Sequence, residues 1–213
     1  MQTQIFPRFI SRARNLALLL LLAAAPALLR AETTGQGLLD PSRFAVGLKY
    51  TGLSYHPGGG ENIEHYKRSL DDKDYWVVLI GAQTDADYML NRFLYLRASG
   101  SLYKDCADVW AGFYHFGFRA NMDFTPKFSA RIGIGPTYLW RQNWLGKVKG
   151  YGNTKDSFFG PATHGDFQGA FILYGGDVEA EWKIKPQLSL VYSVIPGYPE
   201  VIQNSLGMRF SFL

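Results

Sequence analysis

The chain has few groups that cross-link a protein or bind a metal, and beyond its N-terminal region it has no long apolar run. Cys106 is the single cysteine among 213 residues, so an internal disulfide is excluded. After residue 31, no apolar run approaches the roughly 20 residues that a membrane-spanning helix requires. Cysteine clusters, histidine pairs at metal-ligand spacing and phosphate-loop motifs are also missing. We therefore expect no metal and no cofactor.

Charge is unevenly distributed along the chain, which has 22 Lys and Arg against 18 Asp and Glu. The excess lies in residues 1–31, which hold four arginines and no acidic residue. The rest of the chain carries equal numbers of both signs. The sequence pI of about 9.1 therefore gives no reason to expect a nucleic acid as a partner.

The first 31 residues have the organisation of a secretory signal peptide. Arg8, Arg12 and Arg14 form a basic region, an apolar run follows from residue 16, and cleavage after Ala31 fits the small-residue rule. The apolar run is short for a membrane anchor. The sequence thus predicts a signal peptide at 1–31, a periplasmic leader at 32–42 and a single barrel domain at 43–213.

Aromatic residues make up 15% of the chain and glycine is frequent, a composition that favours strands over a helical bundle. Apolar and polar side chains alternate with the period of two that is typical of strands with one face toward lipid. For example, Trp110, Tyr114 and Phe116 share one face of a strand, and His115 and Arg119 share the other. The sequence predicts an all-β fold, an eight-stranded antiparallel transmembrane β-barrel of the outer-membrane type. The expected strands are 43–55, 74–83, 88–103, 108–122, 128–141, 168–184, 187–196 and 204–213.

A soluble β-sandwich shows the same alternation, but two observations favour a membrane. First, connections alternate between tight turns (84–87, 123–127 and 185–186) and long polar segments (56–73 and 142–167), as they do in outer-membrane barrels. Second, aromatic side chains fall near the strand ends and predict two interfacial girdles. Those expected at the loop ends are Trp76, Trp110 and Trp140, and those expected at the turn ends are Phe44, Phe128, Trp182 and Phe212. The predicted location is the bacterial outer membrane.

The last strand also points to that location. Ser205–Phe212 carries apolar or aromatic side chains on alternate positions and ends near Phe210 and Phe212. This pattern resembles the C-terminal assembly signal of outer-membrane barrels, and the resemblance implies that the barrel assembly machinery is a partner.

An eight-stranded barrel is too narrow for an aqueous pore, so side chains fill it and a porin is excluded. The predicted inward face carries both signs of charge, which must be paired when buried. On the sixth strand, the alternation of side chains predicts that Ala170, Ile172 and Tyr174 face outward, toward lipid. The inward charged residues are predicted to be Lys49, Arg97, Arg119, Arg131, Asp177, Glu179 and Glu181.

Candidate catalytic residues lie toward the outer rim. His115 is expected to point inward on the fourth strand, with Ser101 on the neighbouring strand and Asp105 in the connection between them. A serine nucleophile needs an adjacent base and an orienting acid to attack an ester, so these residues form a candidate triad. His56, which opens the first long loop before a glycine-rich stretch, is an alternative base. An ordinary hydrogen-bonded role in the lumen is equally open for His115.

The third outer loop begins with a basic and aromatic stretch. Arg141, Trp144 and Lys147 lie there beside the predicted membrane surface. Guanidinium and ammonium groups suit the phosphates of lipopolysaccharide. We therefore expect these residues to contact outer-membrane lipid, unless the loop is an ordinary solvated one.

Several motifs resemble a family of small envelope barrels associated with lipid A deacylation. They are 102–107 (LYKDCA), 112–119 (GFYHFGFR), 133–137 (GIGPT) with Arg141 and Trp144, and 195–199 (IPGYP). The resemblance spans most of residues 43–213 and implies an outer-membrane enzyme that hydrolyses an ester-linked acyl chain of lipid A. The His-x-Ser-Asn motif of a better-known barrel deacylase is missing after His115.

Two other functions stay open at the level of sequence. A non-enzymatic structural or adhesive barrel, which presents its first and third outer loops, fits the long polar connections equally well. Acyl transfer to lipid A is the third possibility. The three differ in whether lipid A loses an acyl chain, is unchanged or gains one.

Overall fold

The computed structural model describes residues 40–57, 63–73, 75–152, 159, 166–197 and 201–212. The predicted signal peptide and most of the leader lie outside these residues. A short 3-10 turn at Pro41–Arg43 leads into the first strand, and Asp40 accepts a hydrogen bond from the Ser42 amide at its start. The strands are β1 (Phe44–Tyr55), β2 (Trp76–Asn91), β3 (Leu94–Lys104), β4 (Trp110–Asp123), β5 (Phe128–Gln142), β6 (Phe167–Lys185), β7 (Leu188–Gly197) and β8 (Val201–Ser211).

The eight strands form a closed antiparallel barrel in sequential order. The last strand closes it, because β8 pairs with β1 from Ala45↔Ser211 to Tyr55↔Ile202. A single-turn helix, α1 (Trp144–Lys147), follows β5 and begins at Asn143, whose side chain accepts from the Leu145 amide. The predicted fold class is therefore confirmed.

The exterior of the barrel is apolar and the interior is polar. Leu48, Ile132, Leu190 and other large apolar side chains are exposed on the outside. Trp76, Trp110 and Trp140 lie near the ends of strands that join the longer loops, and Trp182 lies near the opposite end, as predicted. No helix in the described part of the chain is long and apolar enough to cross a membrane.

The predicted turn at 84–87 is wrong. Strand β2 continues through these residues to Asn91 and turns at Arg92 and Phe93 instead. The segment contains Asp85 and Asp87, and aspartate is depleted in strands, which favours a turn. Both Asp85 and Asp87 point into the barrel, where buried cations pair with them.

The predicted faces at the outer end of β6 are also wrong. Phe171 and Leu173 are exposed, whereas Ile172 turns inward onto an apolar cluster. The register of β5 against β6 shifts between Gly135 and Thr137, at Pro136, which cannot donate to a ladder. This irregularity changes which side chains of β6 face the lumen above Tyr174.

Candidate functional site at the outer rim

The periplasmic half of the lumen is filled by ion pairs, here called the charge network. Arg97 shows its density, because its guanidinium lies 2.8 Å from both Asp85 and Asp87 and 3.1 Å from Asp177 and from Glu179. Five cations face five carboxylates, and all are buried. The members of the network are Lys49, Arg97, Arg119, Arg131, Arg209, Asp85, Asp87, Asp177, Glu179 and Glu181.

The network blocks the centre of the barrel. Glu179 illustrates this, because it accepts from Lys49 at 2.7 Å, from Arg119 at 3.2 Å and from Arg131 at 3.4 Å across the lumen. Such charges are tolerated in a low-dielectric interior only when they are paired. The equal numbers of both signs meet that requirement and confirm the predicted paired interior, to which the structure adds Asp85, Asp87 and Arg209.

An apolar layer lies in the lumen between the charge network and the outer rim. Phe113 on β4, Leu139 on β5 and Ile195 on β7 are buried there. Tyr103 joins them and accepts a hydrogen bond from the Gln203 amide across the barrel. The layer consists of Leu79, Tyr103, Ala111, Phe113, Leu139 and Ile195, with Phe159 and Ile172 packed against it.

Three outer loops meet above the apolar layer in what we call the outer cap. Trp144 of α1 is buried at its centre, and its ring lies 5.2 Å from that of Tyr151 and 6.5 Å from that of Tyr66. The cap thus joins the β1–β2, β3–β4 and β5–β6 loops. Its residues are Tyr66, Val77, Cys106, Ala107, Val109, Trp144, Leu145, Val148 and Tyr151.

Asp105 ties two of these loops together. One carboxylate oxygen accepts from the amides of Ala107 and Val109, each at 3.0 Å, and the other accepts from the Trp144 indole at 2.8 Å. Burial raises the pKa of Asp105 above its ordinary value, although the Trp144 and amide hydrogen bonds oppose the shift. Burial also raises the pKa of Cys106 well above its ordinary value, so at neutral pH this residue is a thiol and unreactive while the cap is closed.

Among the described residues, no hydrogen bond joins the predicted His115, Ser101 and Asp105 to one another. His115 lies about 17 Å along β4 from the outer end of that strand, given the rise per strand residue. Its ring contacts Thr137 Oγ1 at 2.7 Å, and its other nitrogen is 4.0 Å from Asp177. The Ser101 hydroxyl accepts from the backbone amide of Phe113. The three residues therefore occupy separate hydrogen-bonding environments.

The other predicted base, His56, does have a serine partner. Its Nε2 lies 3.1 Å from Ser54 Oγ, and its Nδ1 lies 3.4 Å from the Tyr66 hydroxyl. Ser54 also donates to the Val77 carbonyl at 3.3 Å. Sequence reasoning missed Ser54, although its position two residues before His56, at the outer end of a strand, was a usable signal. Within the described ranges, no group of three or more His, Cys, Asp or Glu side chains is arranged to hold a metal ion.

The predicted lipid contacts separate into buried and exposed residues. Arg141 is 7% exposed and Trp144 is 3% exposed. The Arg141 guanidinium lies over the rings of Trp144 and Phe159, 4.3 Å from each centroid, and donates to Gln168. Of the three predicted residues, only Lys147 is exposed, so Arg141 and Trp144 support the cap from within.

A closed barrel with an apolar exterior, aromatic girdles and a charge-filled lumen defines the class of this protein: it is a small transmembrane β-barrel of the bacterial outer membrane. Closure of such a wall leaves no open sheet edge, because hydrocarbon requires that backbone groups be paired within the protein.

Solved structures of three other barrels are similar in outline. Ail of Yersinia pestis is 10% identical, with 79% of this chain and 96% of that chain covered and a TM-score of 0.43. The N-terminal β-barrel domain of Pseudomonas aeruginosa OprF is 12% identical over 79% and 97%, with a TM-score of 0.43. Neisserial surface protein A is 14% identical over 79% and 97%, with a TM-score of 0.40. At this level the likeness carries no functional information.

The sequence matches no protein-family model, and no curated protein matches it significantly. The resemblance to a lipid A deacylase family is thus not supported by these comparisons.

Proposed function

We propose that this protein is a non-enzymatic barrel of the outer membrane whose folded outer loops serve as a structural or adhesive surface. The observation that carries this proposal is the outer cap, in which loops from three connections share one apolar cluster around Trp144. Loops that only connect strands do not need a core of their own. A loop cluster with its own apolar core has a fixed conformation and presents a defined surface to the exterior of the cell.

The filled lumen supports the same function. The charge network places ion pairs across the lumen, as expected for a barrel too narrow for an aqueous channel, and the predicted triad residues form hydrogen bonds with other partners. In this proposal the barrel is a rigid support for the cap. The barrel assembly machinery acts only during insertion, through the C-terminal strand β8.

Lipid A mass spectrometry combined with an adhesion assay tests the proposal. Cells with and without the gene should have identical lipid A acylation but differ in attachment to a surface. A variant with Trp144 and Tyr151 both changed to Ser, which disrupts the cap, should attach like the deletion strain. A matched variant with Tyr138 and Tyr192 changed to Ser on the barrel exterior should attach normally. A change in acylation, or normal attachment by the cap variant, would contradict the proposal.

A second candidate, removal of an ester-linked acyl chain from lipid A, rests on the contact between Ser54 and His56. In that reaction Ser54 Oγ attacks the ester carbonyl while His56 Nε2 takes its proton, and the alcohol of the sugar leaves. Water then hydrolyses the acyl-serine and releases a fatty acid. His115, Ser101 and Asp105 remain the alternative set from the sequence, with Lys147 as a phosphate contact.

Substitutions separate this candidate from the first. If Ser54 and His56 are catalytic, Ser54→Ala and His56→Ala should each give the lipid A acylation pattern of the deletion strain. If the alternative set is catalytic, Ser101→Ala and His115→Ala should give that pattern instead. A heat-modifiable gel shift verifies that each variant is folded. A gained acyl chain in the wild type would instead indicate acyl transfer.

A further inference from the structure

Part of the first outer loop folds back along the outer end of β2. The Val78 amide donates to the Arg68 carbonyl at 2.9 Å, the Leu70 amide donates to the Trp76 carbonyl at 2.8 Å, and Ser69 forms a bridge with Val77. Strand β3 ends lower on the wall, where Lys104 pairs with Ile80. The fold-back segment, residues 67–70, therefore continues the sheet above the end of β3.

This arrangement gathers three cations at one place on the rim. Arg68 forms an ion pair with Asp108, and the Lys67 ammonium lies 4.0 Å from the same carboxylate. Lys104 donates to the Asp108 carbonyl at 3.3 Å. The Asp108 carboxylate pairs with Lys67 and Arg68, and Lys104 contacts only its backbone carbonyl, so the three cations exceed the charge of this carboxylate. Asp71, in the same loop, is held by the backbone amides of Tyr75 and Trp76.

The cluster lies on the lipid-facing side of the wall. Side chains alternate in a strand, so Lys104 shares the exterior face with Leu102, which is 50% exposed. The Lys104 ammonium lies 4.3 Å from the centroid of the Trp110 ring in the outer girdle. Pairing of Ser69 with Val77 places Arg68 and Leu70 on the same face as Trp76. Arg68 and Lys104 thus lie at the depth of the lipid headgroups, and the Lys67 side chain, 63% exposed, lies beside Arg68 at the same carboxylate.

Two of the cations are accessible from outside. The Lys67 and Arg68 side chains are 63% and 25% exposed. A guanidinium favours the bidentate geometry of phosphate oxygens. Immediately below the cations, Ile80 and Leu102 form an exposed apolar wall that suits acyl chains.

We propose that Lys67, Arg68 and Lys104 form a binding site for the phosphate of an outer-leaflet lipid whose acyl chains lie against Ile80 and Leu102. The site differs from the residues predicted from the third loop and is independent of the function proposed for the cap. Its occupant is an amphiphile, because the cations and the apolar wall adjoin one another. Free phosphate can contact the three cations but not the apolar wall of Ile80 and Leu102.

Native mass spectrometry of the mature full-length protein in detergent tests the site, with lipid A as the probe. The triple variant Lys67→Gln, Arg68→Gln, Lys104→Gln should retain about tenfold less lipid A, since each cation near a lipid surface contributes to anion binding. A matched triple variant, Lys73→Gln, Lys127→Gln, Lys149→Gln, removes three exposed lysines elsewhere on the protein and should retain it normally. Equal retention by the two triple variants would overturn the proposal.

Three further measurements keep the test independent of folding. Asp108→Asn removes the opposing charge and preserves a residue type that tolerates the positive φ of 67° found there. It should increase lipid A retention, and a decrease would contradict the site. Dephosphorylated lipid A should bind weakly, and excess inorganic phosphate should fail to displace lipid A. Displacement by phosphate alone would show an ion site without a lipid, which also overturns the proposal.

Discussion

The charge network and the outer cap both occupy space enclosed by the barrel and its loops, but the network does so with ion pairs and the cap with apolar side chains. In the network, charges on regular strands pair across the lumen, as Arg97 does with Asp177 and Arg209 with Glu181. In the cap, loops bury apolar side chains, and the carboxylate of Asp105 joins two of these loops. Strand geometry positions the network, whereas the cap residues position one another.

This difference predicts different kinds of failure. A missing member of the network leaves a buried charge without its partner and weakens the whole barrel. A missing contact in the cap opens loops that the barrel does not need for closure. The predictions that follow test this contrast, from the largest expected effect to the smallest.

Arg97→Met should destabilise the barrel by about 3–5 kcal/mol, because five buried carboxylates would then face four cations. Urea unfolding in detergent micelles, followed by the heat-modifiable gel shift, measures the loss. Arg92→Met is the matched control, since Arg92 lies exposed in the β2–β3 turn with its guanidinium over Phe93. Equal destabilisation by both substitutions would show that pairing within the charge network does not determine the stability of the barrel.

Gly133→Ala should cost roughly 1–3 kcal/mol through overpacking. A Cβ at Gly133 would collide with the Asp177 carboxylate and lie 2.9 Å from the Arg119 side chain, so the ion pair between these residues would have to move. The same unfolding assay applies. Gly146→Ala in α1, where nothing lies within 4 Å of a new Cβ, should leave barrel stability unchanged. A loss for Gly146→Ala as large as for Gly133→Ala would refute the explanation.

Trp144→Phe should open the cap without unfolding the barrel. It removes the indole hydrogen bond to Asp105 and leaves a buried acceptor with one partner fewer, a loss of about 1–2 kcal/mol. Alkylation of Cys106 reports the opening and should accelerate about 5- to 30-fold. Trp140→Phe is the control, because the Trp140 indole nitrogen has no hydrogen-bond partner among the described residues. Unchanged alkylation in Trp144→Phe would show that Asp105 does not hold the cap closed.

The smallest effect expected is a pH dependence of cap closure. The pKa of Asp105 is raised by burial, so the closed cap binds a proton more tightly than the open cap. Closure should therefore weaken as pH rises from the ordinary carboxyl value, about 4, toward the raised value. The ratio of Cys106 alkylation rates, wild type over Asp105→Asn, should increase across this range. A flat ratio would mean that Asp105 does not titrate with cap opening.

The strands of this barrel were largely predictable, because alternation of side chains is a local property. Trp110, Tyr114 and Phe116 share an exterior face in the structure as in the sequence. Asp85 and Asp87 were misassigned because their stability within a strand comes from Arg97 on the neighbouring strand and from Arg209 on the last strand of the barrel. Tertiary pairing overrode local propensity there.

The outer rim was less predictable, because its contacts join separate loops. No pattern along the chain relates Asp105 to Trp144, and the pair forms only when two connections meet above the barrel. The contact between Ser54 and His56 was local and could have been found. The β-bulge between Thr51 and Leu53 changes the face on which Ser54 lies, so alternation alone does not predict that face.

The fold-back segment has a consequence for how copies of this barrel coexist. Strand β2 extends above the end of β3, where its amide and carbonyl groups would form an unprotected sheet edge. Hydrogen bonds to Arg68 and Leu70 occupy that edge. Neighbouring copies in the same membrane therefore cannot pair a strand with this edge. Strand exchange between copies is disfavoured where β2 extends above the end of β3.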